Sequence, residues 1–508
     1  VGVESTFFEL GGHSLTAIRL LNRVRAELGR TVPVLDFLRA PTIRQLAARL
    51  EAADPVPEQP HRPAPVDPPS QQDPRVERSA PASVNQARQY RLTKAADHPS
   101  VVTIAQRFTL RGSLDVEALR AALSALVARH PALRTRYAEQ GRVQQVLVPE
   151  PVELPELAAT ESTVDDLGRE WSVRPFDLDD EPAFRPALLH VGPGHAELVL
   201  ALHHGISDGM SMITIIRDLG ELYRARVTGD QPDLPELTAD FVDFTDWERE
   251  HLNDPATTEA VRAWAAEVRP YREIPVLPTD HPRAEQRTNA GAIWSTKLPA
   301  ELSEELTTFA ARHGTTPFAV TFAAFAWLLH ELTGTSNAVV RCGVANRQEP
   351  RFEHVVGMFT HTSWLIAPLH GASTFADLLP RASDALWHRL ALQAVPGDVL
   401  NEALGAPYDQ NPPRVIFSMF DQPMPLLTLP GVAPAEPTDV ELAGARVDQT
   451  WLLGALADGG LELVVEYTVE LFDESTVAGW ADRFLTLLRR ALANPDTPLN
   501  PSGTPISE

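Results

Sequence analysis

The sequence predicts a multidomain protein in which a small all-α unit precedes a larger α/β region built as two lobes. Its 508 residues exceed what a single hydrophobic core supports. Nine prolines within residues 55–81, with almost no apolar periodicity, separate the first fifty residues from the rest. Beyond Ala82, stretches with strand and helix periodicity alternate, and a second series of such stretches then repeats the first.

The N-terminal unit is predicted to be helical. The apolar residues that recur at intervals of three or four in its first helix are Leu15, Ile18, Leu21, Val24 and Leu28. Gly11 and Gly12 allow a tight turn before this helix and leave Ser14 at its start. A phosphodiester on Ser14 would lie beside the free N–H groups of the helix end, although a plain N-cap is the commoner role of such a serine. Thr42 and Gln45 form the pattern of a capping box for a later helix.

The larger region shows a regular order of elements. In the first part, strands are predicted at residues 101–110, 143–148 and 196–202, and a helix at 116–126. Proline-rich residues 268–291 are expected to cross to the second part. There, helices are predicted at 301–312, 317–332, 375–392 and 477–492, and strands at 338–344, 358–369 and 415–420, followed by a hairpin around 458–460.

Composition excludes several classes of protein. The formal net charge of −24 argues against nucleic acid or an anionic membrane as a partner. The single cysteine, Cys342, excludes an intramolecular disulfide and favours a reducing compartment. We expect a cytoplasmic protein, since no signal peptide opens the chain and the most apolar helix, 318–329, is too short to span a membrane. Metal-binding patterns and phosphate-binding loops are absent from the sequence, so no metal is expected and activation by nucleotide must happen elsewhere.

The run of residues 202–209 is the candidate active site. It contains His203, His204, Asp208 and Gly209 on a turn between a buried strand and a helix. Neighbouring side chains on a strand point to opposite faces, so only one of the two histidines can face a given cleft. An inward-facing imidazole can accept a proton or hold a nucleophile, and the following helix start favours developing negative charge. A carboxylate at such a turn more often fixes local structure through an arginine than takes part in chemistry.

Residues 203–209, HHGISDG, resemble the HHxxxDG signature of the condensation domains of nonribosomal peptide synthetases, which are relatives of chloramphenicol acetyltransferase. Three other runs resemble further motifs of that family: residues 83–88 resemble SxxQxR, 129–135 resemble RHxxLRT, and 241–247 resemble YxDYxxW. The four motifs occur in the family's order. Residues 7–15, FFELGGHSL, resemble the attachment site of peptidyl carrier proteins, with Ser14 matching the residue that carries 4′-phosphopantetheine.

These resemblances imply a division of the chain. Residues 1–52 would be a carrier domain, which is a four-helix bundle in that family, and the sequence starts after the position of the first helix. Residues 53–81 would be a proline-rich linker, 82–267 the N-lobe and 268–500 the C-lobe of a condensation domain, and 501–508 a tail leading to a next domain. The family fold implies two acetyltransferase-like lobes that meet in a V with a tunnel between them.

The resemblance also implies roles for the motif residues. His204 would position the attacking amine and take its proton, or would only stabilise the tetrahedral intermediate, and the sequence leaves both open. His203 would orient the loop, and Gly209 would offer an N–H group to the oxyanion. Residues 344–347 resemble the family's VANR strand end, so Arg347 would neutralise Asp208 across the lobes.

Two positions near the expected tunnel depart from the family. His361 replaces the usual asparagine of a VGxFxNT motif, so substrate contacts there differ. Arg341 stands where the family commonly has a small residue. If its side chain enters the tunnel, it would gate or select the acceptor group; an outward-facing arginine is the equal alternative.

The resemblance implies amide-bond formation between two carrier-bound thioesters. The donor would be carried by Ser14, and the acceptor by a downstream carrier domain. Expected partners are upstream and downstream synthetase modules, including adenylation domains, and a phosphopantetheinyl transferase. The alternatives are epimerisation of a carrier-bound aminoacyl group, since epimerase domains share HHxxxDG, and a catalytically silent recruitment domain of the same fold. Cyclisation is disfavoured because both motif histidines are present.

Overall fold

The computed structural model describes residues 2–12, 14–53, 73–95, 99–271, 274–284, 288–405, 414–440, 444–500 and 506. Across these ranges a small helical unit is followed by two α/β lobes, as the sequence predicts. None of the helices in these ranges is long and apolar enough to cross a lipid bilayer.

The N-terminal unit has three helices: α1 (Ser14–Leu28), α2 (Val34–Arg39) and α3 (Ile43–Ala52). Gly11 precedes α1 with a φ of 80°, a left-handed conformation that glycine adopts without strain. Thr42 caps α3, where its hydroxyl accepts a hydrogen bond from the Gln45 N–H group at 3.2 Å. Phe8 and Phe37 are buried in the same apolar cluster as residues of the second lobe, so the unit packs against that lobe.

The first lobe surrounds a five-stranded sheet. Its elements are β1 (Val76–Pro81), α4 (Val84–Ala95), β2 (Thr103–Arg111), α5 (Val116–Arg129), β3 (Thr135–Ala138), β4 (Val143–Leu147), β5 (Glu156–Ala158), α6 (Val164–Ser172), β6 (Phe184–Gly192), β7 (His195–His203), α7 (Gly209–Thr228) and α8 (Phe241–Asn253). Strand β7 lies between β2 and β6 and is antiparallel to both. Leu198 and Leu200 of β7 face the core with α5 and α7, whereas Val199 faces α6. Because both faces are covered, β7 is a continuous apolar run.

The second lobe surrounds a six-stranded sheet. Its elements are α9 (Pro255–Val268), β8 (Gly291–Leu298), α10 (Ala300–Arg312), α11 (Pro317–Thr333), β9 (Asn337–Val344), β10 (His361–Pro368), α12 (Phe375–Ala391), α13 (Gly397–Leu404), β11 (Val415–Phe420), β12 (Pro437–Asp439), β13 (Gln449–Ala455), β14 (Leu461–Thr468) and α14 (Glu474–Ala493). The strand order is β10-β9-β11-β13-β14-β8. One face packs against α10, α11, α12 and α14, and the other packs in part against α9 and α13. Strand β12 is not part of this sheet; it pairs with β2 at the edge of the first-lobe sheet, which ties the lobes together.

Three predicted boundaries differ from the structure. The segment assigned to the linker, 53–81, ends in β1, which pairs with β4 and therefore belongs to the first lobe. Helix α9 precedes the predicted crossing at 268, yet Trp264 packs with Trp364 of the second-lobe sheet. The predicted tail 501–508 contains Ile506, which is buried and exchanges backbone hydrogen bonds with Gly371 and Ala372. Each correction comes from a long-range contact that local periodicity does not encode.

Candidate functional site

The two histidines stand where β7 ends and the chain turns into α7. The turn is held from both sides, because the His204 N–H group donates to the Val102 carbonyl at 2.7 Å and the Tyr137 hydroxyl donates to the Gly205 carbonyl at 2.7 Å. A Cβ atom at Gly205 would stand 2.7 Å from that hydroxyl oxygen. The turn therefore requires glycine at this position because of a close approach.

His203 is fully buried and uses both ring nitrogens inside the protein. Its Nδ1 accepts a hydrogen bond from the Gly205 N–H group at 2.9 Å. The proton is therefore on Nε2, which lies 2.7 Å from the Thr93 hydroxyl oxygen, and that hydroxyl in turn donates to the Gln89 carbonyl. Burial, together with the neighbouring His204, lowers the pKa of His203 to about 3. No atom of this ring is left for a substrate.

His204 is partly exposed and has a different pattern of hydrogen bonds. Its Nδ1 lies 3.0 Å from the Ser207 carbonyl oxygen, which can only accept, so the neutral ring carries its proton on Nδ1. Nε2 then presents a lone pair. Burial, and next the positive charge of Arg446, lower the pKa of His204 to about 4, so the ring is neutral at physiological pH. It can accept a hydrogen bond from an incoming amine.

Asp208 is fully buried and caps α7. Its carboxylate accepts hydrogen bonds from the N–H groups of Ser211 at 2.7 Å, Phe359 at 3.1 Å and Thr360 at 3.0 Å, and from the Thr360 hydroxyl at 3.1 Å. Arg347 Nη2 lies 3.0 Å from its Oδ1. Burial alone would raise the pKa of Asp208, but Arg347 and these donors outweigh burial, and the pKa lies below its usual range. A carboxylate so fully engaged has no site left for chemistry.

Arg347 reaches Asp208 from the second lobe. Its Nη1 donates to the carbonyls of Phe352 at 2.9 Å and Val355 at 2.6 Å, and its guanidinium lies 4.0 Å from the centre of the Phe359 ring. Nη2 also donates to the Ser211 hydroxyl at 2.8 Å. The structure thus brings together the pair that the sequence analysis placed across the lobes.

Gly209 is the first residue of α7. At this position a helix has no intrahelical acceptor for its N–H group, which leaves a donor near the His204 turn. An added Cβ atom would stand 3.5 Å from the Phe420 ring of β11, so the second lobe closes over this helix start. The arrangement offers a partial positive charge beside the imidazole.

The remaining motif residues support the site from behind. Arg129 and His130 both contact Asp218 on α7, with Nε and Nε2 each 2.9 Å from its Oδ2. In the first motif, Gln86 donates to Gln144 at 3.1 Å, and Gln144 donates to Thr245 of the third motif at 3.0 Å. These motifs hold α7, α4 and α8 in place.

The two predicted tunnel residues lie on opposite faces of the second-lobe sheet. Arg341 is half-buried and pairs across the strands with Trp364, on the face away from Cys342. His361 is only 2% exposed and its Nε2 lies 2.8 Å from the Gln393 carbonyl oxygen. The strand alternation of β10 turns His361 toward α12, so this side chain does not line an open passage, contrary to the prediction.

Ser14 is the first residue of α1, two positions after Gly12. The first N–H groups of a helix are free and favour a phosphate bound there, so this position fits a phosphopantetheine arm. In the described part of the chain, no group of three or more His, Cys, Asp or Glu side chains is placed to hold a metal ion.

Sequence reasoning missed four residues that hold the histidine turn or the helix α7 that follows it. They are Thr93, Tyr137, Ser211 and Asp218. Ser211 lies within one turn of the motif and follows the N-cap pattern, so its N–H contact to Asp208 had a local signal. The others come from distant segments or, for Asp218, from the middle of α7, and no spacing rule singles them out.

Comparison with protein families gives two matches. A model described as condensation domain matches residues 76–505, and a model described as phosphopantetheine attachment site matches residues 1–50. A probable non-canonical nonribosomal peptide synthetase of Salinispora arenicola is 33% identical over 98% of this chain. A dimodular nonribosomal peptide synthase of Bacillus subtilis is 30% identical over 98% of this chain. The chain spans only 6% of the length of the first relative and 21% of the length of the second.

Solved structures show the same fold. The X-domain from teicoplanin biosynthesis has a TM-score of 0.75 and 25% identity, over 86% of this chain and 99% of that one. The first condensation domain of the calcium-dependent antibiotic synthetase has a TM-score of 0.70 and 20% identity, over 84% of this chain and 99% of that one. The predicted fold class, a small helical carrier unit followed by a two-lobed α/β domain, is confirmed.

Proposed function

The chain belongs to the condensation-domain family, with a phosphopantetheine attachment region ahead of that domain, and we propose that it forms an amide bond between two carrier-bound thioesters. The acceptor amine attacks the donor thioester carbonyl. A C–N bond forms, the C–S bond breaks, and the proton lost by the amine ends on the released thiol. The donor is an acyl or peptidyl group held on Ser14, and the acceptor is an aminoacyl group brought by a downstream carrier domain.

The observation that carries this proposal is the contrast between the two histidines. His203 spends both ring nitrogens on the Gly205 N–H group and Thr93, whereas His204 keeps the Nε2 lone pair on a partly exposed ring. His204 receives a hydrogen bond from the acceptor amine and orients the nitrogen lone pair toward the donor carbonyl. Holding the two reactants in this geometry supplies much of the rate.

The start of α7 stabilises the charge that develops on the carbonyl oxygen. The Gly209 N–H group is the proposed donor, because the first N–H group of a helix lacks an intrahelical partner and sits at the positive end of the dipole. Asp208 and Arg347 act as positioning residues: their ion pair at 3.0 Å fixes the N-cap from which Gly209 follows.

Ser14 is the proposed attachment residue for 4′-phosphopantetheine. When bound, this arm presents the donor as a thioester, which is an activated acyl group. The residues of this chain that would hold the arm are Ser14 itself and the first turn of α1, because the first N–H groups of a helix have no intrahelical acceptor and favour a phosphate. A phosphopantetheinyl transferase is the expected partner for loading, and adenylation domains of neighbouring modules supply the acyl groups.

Two other functions are open to the same fold. Epimerisation of a carrier-bound aminoacyl group requires proton exchange at the α-carbon and gives no amide. Recruitment of another protein without catalysis is the second, and one comparison supports the binding part of it: a complex of the X-domain and OxyB, at 25% identity, has a TM-score of 0.74 with this chain. Retention of His204 with a free Nε2 favours condensation over recruitment.

The direct test uses the full chain loaded with aminoacyl-coenzyme A donors and offered an aminoacyl pantetheine thioester as acceptor. After unbound aminoacyl-coenzyme A has been removed, we expect an amide product by mass spectrometry from the wild-type chain, none from Ser14→Ala, and a large loss of rate from His204→Ala. Intact mass checks that His204→Ala still accepts the arm. In D2O, deuterium incorporation at the α-carbon of the loaded aminoacyl group without amide formation would identify an epimerase. If neither deuterium incorporation nor an amide is detected, recruitment is the function.

Arg341 is proposed to select the acceptor. Arg341 is half-buried and pairs across the strands with Trp364, on the sheet face that does not carry the α12 core. Arg341→Gly should widen the range of accepted acceptor thioesters while leaving loading of Ser14 unchanged. An unaltered acceptor range and rate in this variant would remove Arg341 from the substrate path.

A further inference from the structure

We propose that residues 347–360, called here the docking loop, form the receptor on which this chain's own carrier unit docks as donor. The docking loop connects β9 and β10, and α1 of the carrier unit lies against it. This inference rests on the proposed function, since it names the partner surface through which the donor is delivered.

Two ion pairs join α1 to the docking loop. Arg25 Nη1 lies 2.9 Å from Glu349 Oε1, and Arg19 Nη2 lies 3.1 Å from Glu353 Oε1. Arg23, between them on the same helix, is 78% exposed and pairs instead with Glu27 of its own helix at 2.8 Å. The two arginines that face the loop are therefore distinguished from one that does not, on a single helix.

Apolar contacts extend the interface beyond the loop. Helix α2 packs against α12, and the Phe8 ring stacks on Trp387 with centroids 5.9 Å apart and an interplanar angle of 25°. Phe8 is 2% exposed and Trp387 is 5% exposed. A buried aromatic centre flanked by charge pairs is the usual anatomy of a specific protein interface.

The docking loop also holds the active-site turn. Its carbonyls at Phe352 and Val355 bind Arg347, and its N–H groups at Phe359 and Thr360 bind Asp208. Glu349 and Glu353 thus sit within the segment whose backbone fixes the N-cap of α7. The carrier unit therefore contacts the same loop that holds the turn carrying His204. One continuous segment, the docking loop, joins the donor carrier to the catalytic turn.

Charge reversal tests the surface. The variants are Arg19→Glu with Arg25→Glu, Glu349→Arg with Glu353→Arg, and all four together; Arg23→Glu is the matched control. Single-turnover amide formation is first measured with an acyl group loaded on Ser14. It is then measured with the same acyl group on free pantetheine, and for this second reaction each chain also carries Ser14→Ala. An aminoacyl pantetheine thioester is the acceptor throughout.

The expected loss for each double reversal is about tenfold with the Ser14-bound donor at low ionic strength, with recovery to within about threefold in the fourfold swap. Arg23→Glu and the free pantetheine reaction should stay at the wild-type rate. An unchanged or faster rate in both double reversals, or equal losses with both donors, would overturn the docking surface. Absence of amide from the wild-type chain with either donor would instead count against the proposed function.

Cross-linking tests docking without catalysis. The chain has one cysteine, Cys342, which is buried, so cysteines introduced at positions 25 and 349 react selectively. A short bismaleimide should join Arg25→Cys to Glu349→Cys at least about ten times faster than it joins Arg23→Cys to Glu349→Cys, because local concentration sets such rates. Equal rates for the two pairs would show that α1 does not rest on the loop and would refute the proposal even if amide is formed.

Discussion

Replacement of Arg347 by methionine tests whether the ion pair with Asp208 fixes the catalytic turn. Arg347→Met removes the Nη2 contact at 3.0 Å but leaves the carboxylate its donors from Ser211, Phe359 and Thr360. Loss of one partner of a buried pair costs about 3 to 5 kcal/mol, and because the other donors to Asp208 remain, we expect the low end of this range, about 3 kcal/mol. Asp208→Asn should cost a similar amount, because its amide N–H group would face backbone donors.

The assay is a double-mutant cycle read by thermal unfolding. Each single variant should lower the melting temperature by about 3 °C, because about 3 kcal/mol is divided by the unfolding entropy of a large domain that spans residues 76–505. The double variant should lose less than the sum, with a coupling of at least about 1 kcal/mol. Arg483→Met is the matched control, because Arg483 pairs with Glu331 at 2.6 Å on the surface and is 41% exposed, where a pair contributes about 0 to 1 kcal/mol. Additivity within about 0.5 kcal/mol, or a control loss as large as that of Arg347→Met, would refute the structural role.

Three further predictions follow from the pKa values. Burial raises the pKa of Glu248 to about 7. The protonated Glu248 therefore contributes to the free energy of unfolding fully below the ordinary carboxylate pKa, and this contribution is lost as the pH rises through 7. Glu248→Gln should abolish the resulting decline of roughly 3 kcal/mol in unfolding measured over a pH series. Burial and Arg446 lower the pKa of His204 to about 4, so an NMR titration of the labelled histidine ring should show no protonation between about pH 5 and 8; a midpoint near the usual 6.5 would contradict the burial of this ring. Burial raises the pKa of Cys342 to about 11, so a thiol reagent should label it only on unfolding.

Strong local patterns predicted the elements that carry the site. The apolar run before His203 became β7, and the helical spacing after Asp208 became α7. Strand β7 is covered on both faces and is therefore apolar throughout, whereas α7 packs one side on the core and therefore shows apolar residues at helical spacing. Both patterns can be recognised in the sequence. The buried helix predicted at 317–332 is α11 (Pro317–Thr333). A helix that is apolar on all sides is stable only when the core surrounds it.

What the sequence did not predict depends on contacts between distant segments. β1 has few apolar residues and exists because it pairs with β4, while β12 joins a sheet of the other lobe. The motif that contains His361 predicted a side chain in the tunnel. The alternation of side chains along β10 instead turns His361 toward the Gln393 carbonyl. Register decides such outcomes, and a shift of one residue would reverse them.

The low pKa of His204 bears on which catalytic role it serves. A general base works best when its pKa lies near the operating pH, and a ring with a pKa of about 4 is a weak base at neutral pH. The same burial and the nearby positive charge of Arg446 keep Nε2 unprotonated, which is what a hydrogen-bond acceptor for a neutral amine requires. His204→Asn offers an acceptor of similar kind without basicity. If orientation is the role, this variant should retain more rate than His204→Ala; equal losses in the two would favour proton abstraction and argue against the assignment.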